Sequence, residues 1–145
     1  MTDTIFAKHY SDISYWPGMY FKPKELACSH CGEILIKTQA LTKIDKLRAL
    51  IGKPLVVNSA YRCPKHNADI GGSPVSQHKL GEAFDISLKY PIMGIHNRKI
   101  VTELAKEAGF TAIGQYDTFI HMDDRVPKPS GELYVWDLRT GKNTV

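Results

Sequence analysis

The sequence predicts an α+β fold, with helices packed on one side of a small antiparallel sheet, and three observations lead there. Apolar residues recur at helical spacing in two stretches, from about Thr38 to Ile51 and from Asn97 to Ala108. Short β-branched or alternating runs lie between and after them, at Leu55–Asn58, Ala83–Ser87, Phe110–Ile113, Phe119–Asp123 and Glu132–Trp136. The chain shows no internal repeat and no low-complexity stretch, so these pieces belong to one layered unit.

Residues 1–22 hold Phe6, Tyr10, Tyr15, Trp16, Tyr20 and Phe21 without a helical or strand period, which reads as an irregular aromatic arm on the core. In the first helix Leu41, Ile44, Leu47, Leu50 and Ile51 form the apolar stripe, with Lys43, Asp45, Lys46 and Arg48 between them. Gly52 and Pro54 end it. Leu55–Asn58 then reads as a buried strand. From Ser59 to Gly81 the chain is rich in Gly, Pro, Ser, Asn and His, the composition of a loop or broken helix, and long loops in small domains are usually functional. In Ala83–Ser87, Phe84 and Ile86 share one face, so Asp85 projects from the other. The second helix has Asn97 near its start and Gly109 as its stop. Phe110–Ile113 and Phe119–Asp123 read as a hairpin around residues 114–118, followed by the last strand and a polar tail.

With 145 residues the length prior is a single domain, 1–145. Hydrophobic residues at 43% and charged residues at 23% exclude a disordered or fibrous chain. The charge of +4 comes from 19 basic and 15 acidic residues without a like-charge block, so neither a nucleic-acid partner nor a membrane anchor is expected. No apolar run is long enough for a transmembrane helix, and the first residues lack the pattern of a secretory signal. The expectation is therefore synthesis in a cytoplasm, with any action elsewhere depending on release or delivery. Cys28, Cys31 and Cys63 are an odd number, which argues against a disulfide framework.

His78 at the end of the long loop, Asp85 in the following strand and His121 in Phe119–Asp123 are the candidate chemistry. Two imidazoles and a carboxylate form a zinc ligand set of the open type, with one position left for water. Each has a plainer reading: His121 as a hydrogen-bonded core residue, Asp85 as a turn cap, His78 as a surface residue. Cys28-Ser-His-Cys31 and Cys63-Pro-Lys-His66 offer a second, Cys₃His set, although 31 residues separate the pairs and buried thiols are the plainer reading. Tyr116, Tyr134 and Trp136 fit a peptide groove or the core.

Ser59-Ala-Tyr-Arg62, His66-Asn67, Gly71-Gly72, Ser76-Gln-His78, Gly81-Glu-Ala-Phe-Asp85 and Phe119-Ile-His121-Met-Asp123 follow one another in an order that resembles the M15 peptidases. These are the zinc D-Ala-D-Ala carboxypeptidases and phage or bacterial peptidoglycan endopeptidases, with the hedgehog signalling domain as a fold relative. The resemblance covers about residues 21–125 and implies the hedgehog/D-Ala-D-Ala peptidase type of α+β fold. It also implies that His78, Asp85 and His121 bind one Zn²⁺, and that Arg62 holds a substrate carboxylate or stabilises an oxyanion. Ser76 and Gln77 would bind the peptide at the lip of the site. Much of the family carries an acid three residues before the last histidine, where this chain has Thr118. Asp123, on the His121 face by strand alternation, is the first candidate for the base, and Asp117 in the turn is the second. Asp123 has a further reading, as a carboxylate orienting a ligand histidine.

What the resemblance implies is a zinc metallopeptidase, a monomer cutting an amide bond of a bacterial peptidoglycan peptide. The setting it suggests is a phage or prophage lysis enzyme released to the wall, or one carried on the virion. A non-catalytic zinc-binding module of a phage particle is the alternative.

Overall fold

The computed structural model describes residues 3–89 and 98–140. Two sheets organise them. The smaller pairs β1 (Thr4–Ala7) antiparallel with β2 (Ile34–Lys37), Ile5 opposite Ile36. The larger has five strands in the order β3-β4-β6-β5-β7, built from Val57–Ser59, Ala83–Ser87, Phe119–Asp123, Ala112–Gln115 and Tyr134–Asp137. The helices are α1 (Pro23–Leu26), α2 (Thr38–Ile51), α3 (Pro64–Asp69) and α4 (Arg98–Ala108).

The α+β expectation holds, and strand alternation explains how the sheet is used. Phe84, Ile86, Ile113, Ile120 and Met122 lie on one face and pack with Leu41, Ile44 and Leu47 of α2 and Val101, Ala105 and Ala108 of α4. The intervening residues Asp85, His121 and Asp123 leave that face for the opposite one, away from the α2 and α4 stripes. The amphipathic helices thus supply a floor, and the chemistry stands on its other side.

Several expectations are corrected. The arm 1–22 is not irregular throughout. Its start is strand β1, and β2 immediately before α2 is its partner; a pairing between segments so far apart leaves no local signal. The arm docks on α2 as well, where Met19 and Tyr20 donate backbone N–H bonds of 2.9 and 3.2 Å to the Asp45 carboxylate. Asp45 is therefore buried on a helix face that reads as polar. The strand expected at Leu55–Asn58 begins at Val57, and its register against β4 slips between Val57 and Ser59. The loop from Ser59 to Gly81 holds α3, started by Pro64 with the Cys63 thiol accepting from the His66 N–H, and a 3-10 turn at Gln77–Leu80. The strand expected at Phe110–Ile113 runs from Ala112 to Gln115, leaving a tighter turn before β6. Finally, β7 runs parallel to β5, which makes the five-stranded sheet mixed instead of wholly antiparallel. Asn97, expected near the start of the second helix, lies outside the described residues. Among the described residues no helix is long and apolar enough to cross a membrane.

Candidate metal centre

Three elements converge on the open face of the sheet. His78 sits in the 3-10 turn Gln77–Leu80, where its own N–H donates to the Ser76 hydroxyl at 3.2 Å. The turn ends at Gly81 with φ +73°, a left-handed conformation that suits glycine, and a Cβ there would run into the Leu35 carbonyl of β2. Lys37 N–H bonds the Gly81 carbonyl at 2.8 Å, so the histidine turn is tied to β2. Asp85 and His121 are directly opposed on β4 and β6. Their row continues across the sheet to Gly114 and Trp136.

The donor atoms of His78, Asp85 and His121 lie within 4.8 Å of one another, and all three residues are buried. His121 Nδ1 is 2.9 Å from Asp85 Oδ1, and His78 Nε2 is 3.2 Å from Asp85 Oδ2. The tautomer of His78 follows from its other side. Nδ1 is 2.6 Å from the Ala60 carbonyl, an oxygen that can only accept, so Nδ1 carries a proton and Nε2 is the nitrogen turned to Asp85. That Nε2 is buried without a hydrogen-bond partner. A buried ring nitrogen left without a hydrogen bond beside a carboxylate is a donor set that a cation can complete. These residues therefore fit a divalent metal.

A second carboxylate stands behind the first histidine ring. Asp123 Oδ2 is 2.7 Å from His121 Nε2 and accepts from Arg125 Nη2 at 2.7 Å, while Oδ1 accepts from Arg125 Nε at 2.8 Å. Burial alone would raise the Asp123 carboxyl, but the bonds and charges of Arg125 and His121 outweigh it and hold it below its ordinary value. Asp85 shows the same balance, with burial opposing and His121 and His78 prevailing. His121 between the two carboxylates is raised: burial pulls it down, and Asp123 and Asp85 push it further up.

The two acids expected as general base are both engaged by hydrogen bonds. Asp123 is fully buried and faces the ring nitrogen of His121 that points away from Asp85, the position of an orienting group. Asp117 is also elsewhere. Its carboxylate accepts from the Thr140 backbone N–H at 2.9 Å and the Thr140 hydroxyl at 2.8 Å, an exposed tie to the end of the chain.

A cleft of about 430 Å³ opens over the cluster, lined by Arg62, Ser76, Gln77, Tyr116, Arg125 and Trp136 among others. It adjoins a larger one of about 840 Å³ that shares Gln77 and Arg125. Arg62, Ser76 and Gln77, singled out in the sequence, thus meet here. The Arg62 guanidinium is held by Ser59 Oγ at 3.2 Å and Asn67 Oδ1 at 3.0 Å, and its remaining amino group is 3.8 Å from Asp85. Arg125 was not singled out, although alternation carried two residues beyond Asp123 would have placed it on this face. Tyr116 and Trp136, left between groove and core, line the cleft and are linked by Trp136 Nε1–H to the Tyr116 hydroxyl at 3.1 Å.

An α+β sheet carrying two imidazoles and a carboxylate on its uncovered face, beneath a cleft, defines the class of open, His₂-carboxylate metal-site proteins. A family model described as Peptidase M15 matches residues 19–123, and the chain belongs to that family. Residues 124–140, with Arg125 and Trp136 in the cleft, lie beyond the match. No curated protein matches the chain.

Proposed function

We propose that the protein is a zinc metallopeptidase that hydrolyses an amide bond in bacterial peptidoglycan peptides, as a carboxypeptidase or an endopeptidase. The observation that carries this reading is His78 Nε2, buried without a hydrogen bond beside Asp85 and His121 at the floor of a cleft in a Peptidase M15 chain. His78, Asp85 and His121 hold the zinc. A zinc ion held there supplies a Lewis acid that polarises a carbonyl and makes water acidic near neutral pH.

The remaining work falls to the chain. Asp123 fixes the proton of His121 on Nε2 and so keeps Nδ1 available on the Asp85 side. Arg62, its fork preset by Ser59 and Asn67, binds a substrate carboxylate near the scissile bond or the oxyanion that develops from the carbonyl. Ser76 and Gln77 hydrogen-bond the peptide backbone, and the Tyr116–Trp136 pair forms the wall against which it lies. We place this activity in a phage or prophage lysis enzyme or a virion-borne one, on the likeness of its motifs to the peptidoglycan endopeptidases of the family.

The test is to incubate the zinc-loaded protein with purified peptidoglycan, with and without chelator, and to identify released fragments by mass spectrometry. Fragments with one new amine and one new carboxyl end, absent with chelator, support the reading and name the bond. Intact walls from several bacterial types, with zinc bound, overturn it. One observation favours a second reading, a non-catalytic zinc-binding module: among the described residues no carboxylate lines the cleft.

A further inference from the structure

On the far side of the Ala60–Cys63 segment, a second group of ligand-type side chains is gathered that the reaction does not use. The sulfurs of Cys28, Cys31 and Cys63 all lie within 4.8 Å of one another, and no disulfide joins them. In a tetrahedral site with Zn–S bonds of about 2.3 Å, neighbouring sulfurs sit roughly 3.8 Å apart. We propose that Cys28, Cys31 and Cys63 bind a structural zinc ion of their own, with His66 as the fourth ligand.

The local backbone supports that assignment. Cys28 and Cys31 enclose a tight turn in which Gly32 N–H bonds the Cys28 carbonyl and Cys28 N–H the Glu33 carbonyl, both at 2.8 Å. Gly32, directly after the second cysteine, has φ +80°. Cys63 and His66 form the complementary Cys-x-x-His pair at the start of α3, where His66 N–H donates to Cys63 Sγ at 3.3 Å. Two such pairs, one of two thiols and one of thiol and imidazole, are the usual make-up of a closed structural zinc site. The His66 ring lies beside this turn, stacked on His30 with centroids 5.4 Å apart.

The packing gives the ion a structural task. Cys28, Cys63 and Tyr61 form a buried cluster separate from the main core, with Leu35 against it. So small a cluster buries little apolar surface, and metal binding is a common substitute for a core of that size. It joins the α1–β2 turn to the segment that carries both Arg62 and the Ala60 carbonyl that orients His78. Arg62 N–H also bonds the His78 carbonyl at 3.2 Å. The second ion would therefore brace the wall of the first site without touching substrate.

Cobalt(II) titration of the metal-free full-length chain tests this, because cobalt bound to thiolates shows a sulfur-to-metal charge-transfer absorption in the near ultraviolet that imidazole and carboxylate ligands lack. The expected result is a thiolate band that saturates, is bleached by zinc, persists in His121→Ala and is lost in Cys31→Ser. Cys31 is exposed, so its exchange spares the core, and circular dichroism checks the fold. His66→Ala should weaken cobalt binding and alter the ligand-field spectrum. In the unmodified protein, zinc should protect all three thiols from a thiol reagent. A folded chain with no thiolate band, thiols that zinc does not protect, a Cys28–Cys63 disulfide in the purified protein, or a full band in Cys31→Ser would each overturn the proposal. An unchanged spectrum in His66→Ala overturns the fourth ligand.

Discussion

His78 gives its Nδ1 proton to the carbonyl of Ala60 across 2.6 Å, and this bond to a segment 18 residues earlier decides which ring nitrogen is left to meet Asp85. On the same sheet face, the Asp123 carboxylate takes the second nitrogen of His121 at 2.7 Å. Each candidate ligand histidine is thus oriented by an oxygen that takes its second nitrogen.

Loss of such an orienting partner typically costs ~10–100-fold in metal affinity. Asp123→Asn should show a loss of that size in chelator competition, with the fold kept. His78→Ala, which removes a ligand outright, should cost more. Equal affinity in Asp123→Asn and the unmodified protein would refute the orienting role.

The metal-free chain should respond to pH in a definite direction. His121 is raised by its bonds to Asp123 and Asp85, once burial is overcome, so its contribution to stability is complete below an unfolded value of about 6.5 and is lost as pH rises through the folded one. Asp85 and Asp123 are held low, so their contribution is present above about 3.9 and lost as pH falls through their folded values. Stability without metal should therefore peak in mildly acidic solution. Because ligands must give up protons, zinc affinity should rise with pH and binding should release protons. Denaturant unfolding across pH, with and without zinc, measures both, and a metal-free profile that climbs from neutral to alkaline pH would contradict the placement of His121.

Arg62→Lys keeps the charge but gives up the fork held by Ser59 and Asn67. Its kcat/KM on a peptidoglycan fragment should fall by roughly 10²-fold, the size of effect seen when one oxyanion donor is removed. Zinc content should not change. A matching loss of zinc would mean that Arg62 serves the structure of the site instead.

Gly114 is covered by the Trp136 indole, and a Cβ at that position would overlap the ring. Gly114→Ala should destabilise the fold by about 1–3 kcal/mol, the usual range for overpacking. It should also displace the indole from the cleft, which tryptophan fluorescence reports. An unfolding midpoint within error of the unmodified protein would show that the ring moves aside without cost.

His78, Asp85 and His121 stood out in the sequence by their places in a turn and two strands, and the spaced motifs resembling the M15 peptidases gave them their metal reading. Strand alternation turns Asp85 and His121 away from the apolar face, and glycines and serines around His78 mark a constrained turn. The two long helices were legible for the same reason, a strong period. What escaped was whatever depends on a distant partner. The start of the chain becomes a strand only because Ile34–Lys37 is there to pair with it, and β7 runs parallel only because the loop after Arg125 carries it round to β5. The partners of Asp123 were hidden in the same way, since alternation gives it its face but not the Arg125 and His121 atoms that occupy it.

The arrangement of the sheet also separates what such an enzyme must conserve from what it can change. The ligand row occupies the central strands β4 and β6, hydrogen-bonded on both sides, while Trp136 enters the cleft from β7 at the edge, beyond the segment the family shares. An edge strand can be rewritten, lengthened or replaced at small cost to its neighbours. The fold therefore lets what the cleft accepts be retuned by editing its last strand, without disturbing the central strands that carry Asp85 and His121.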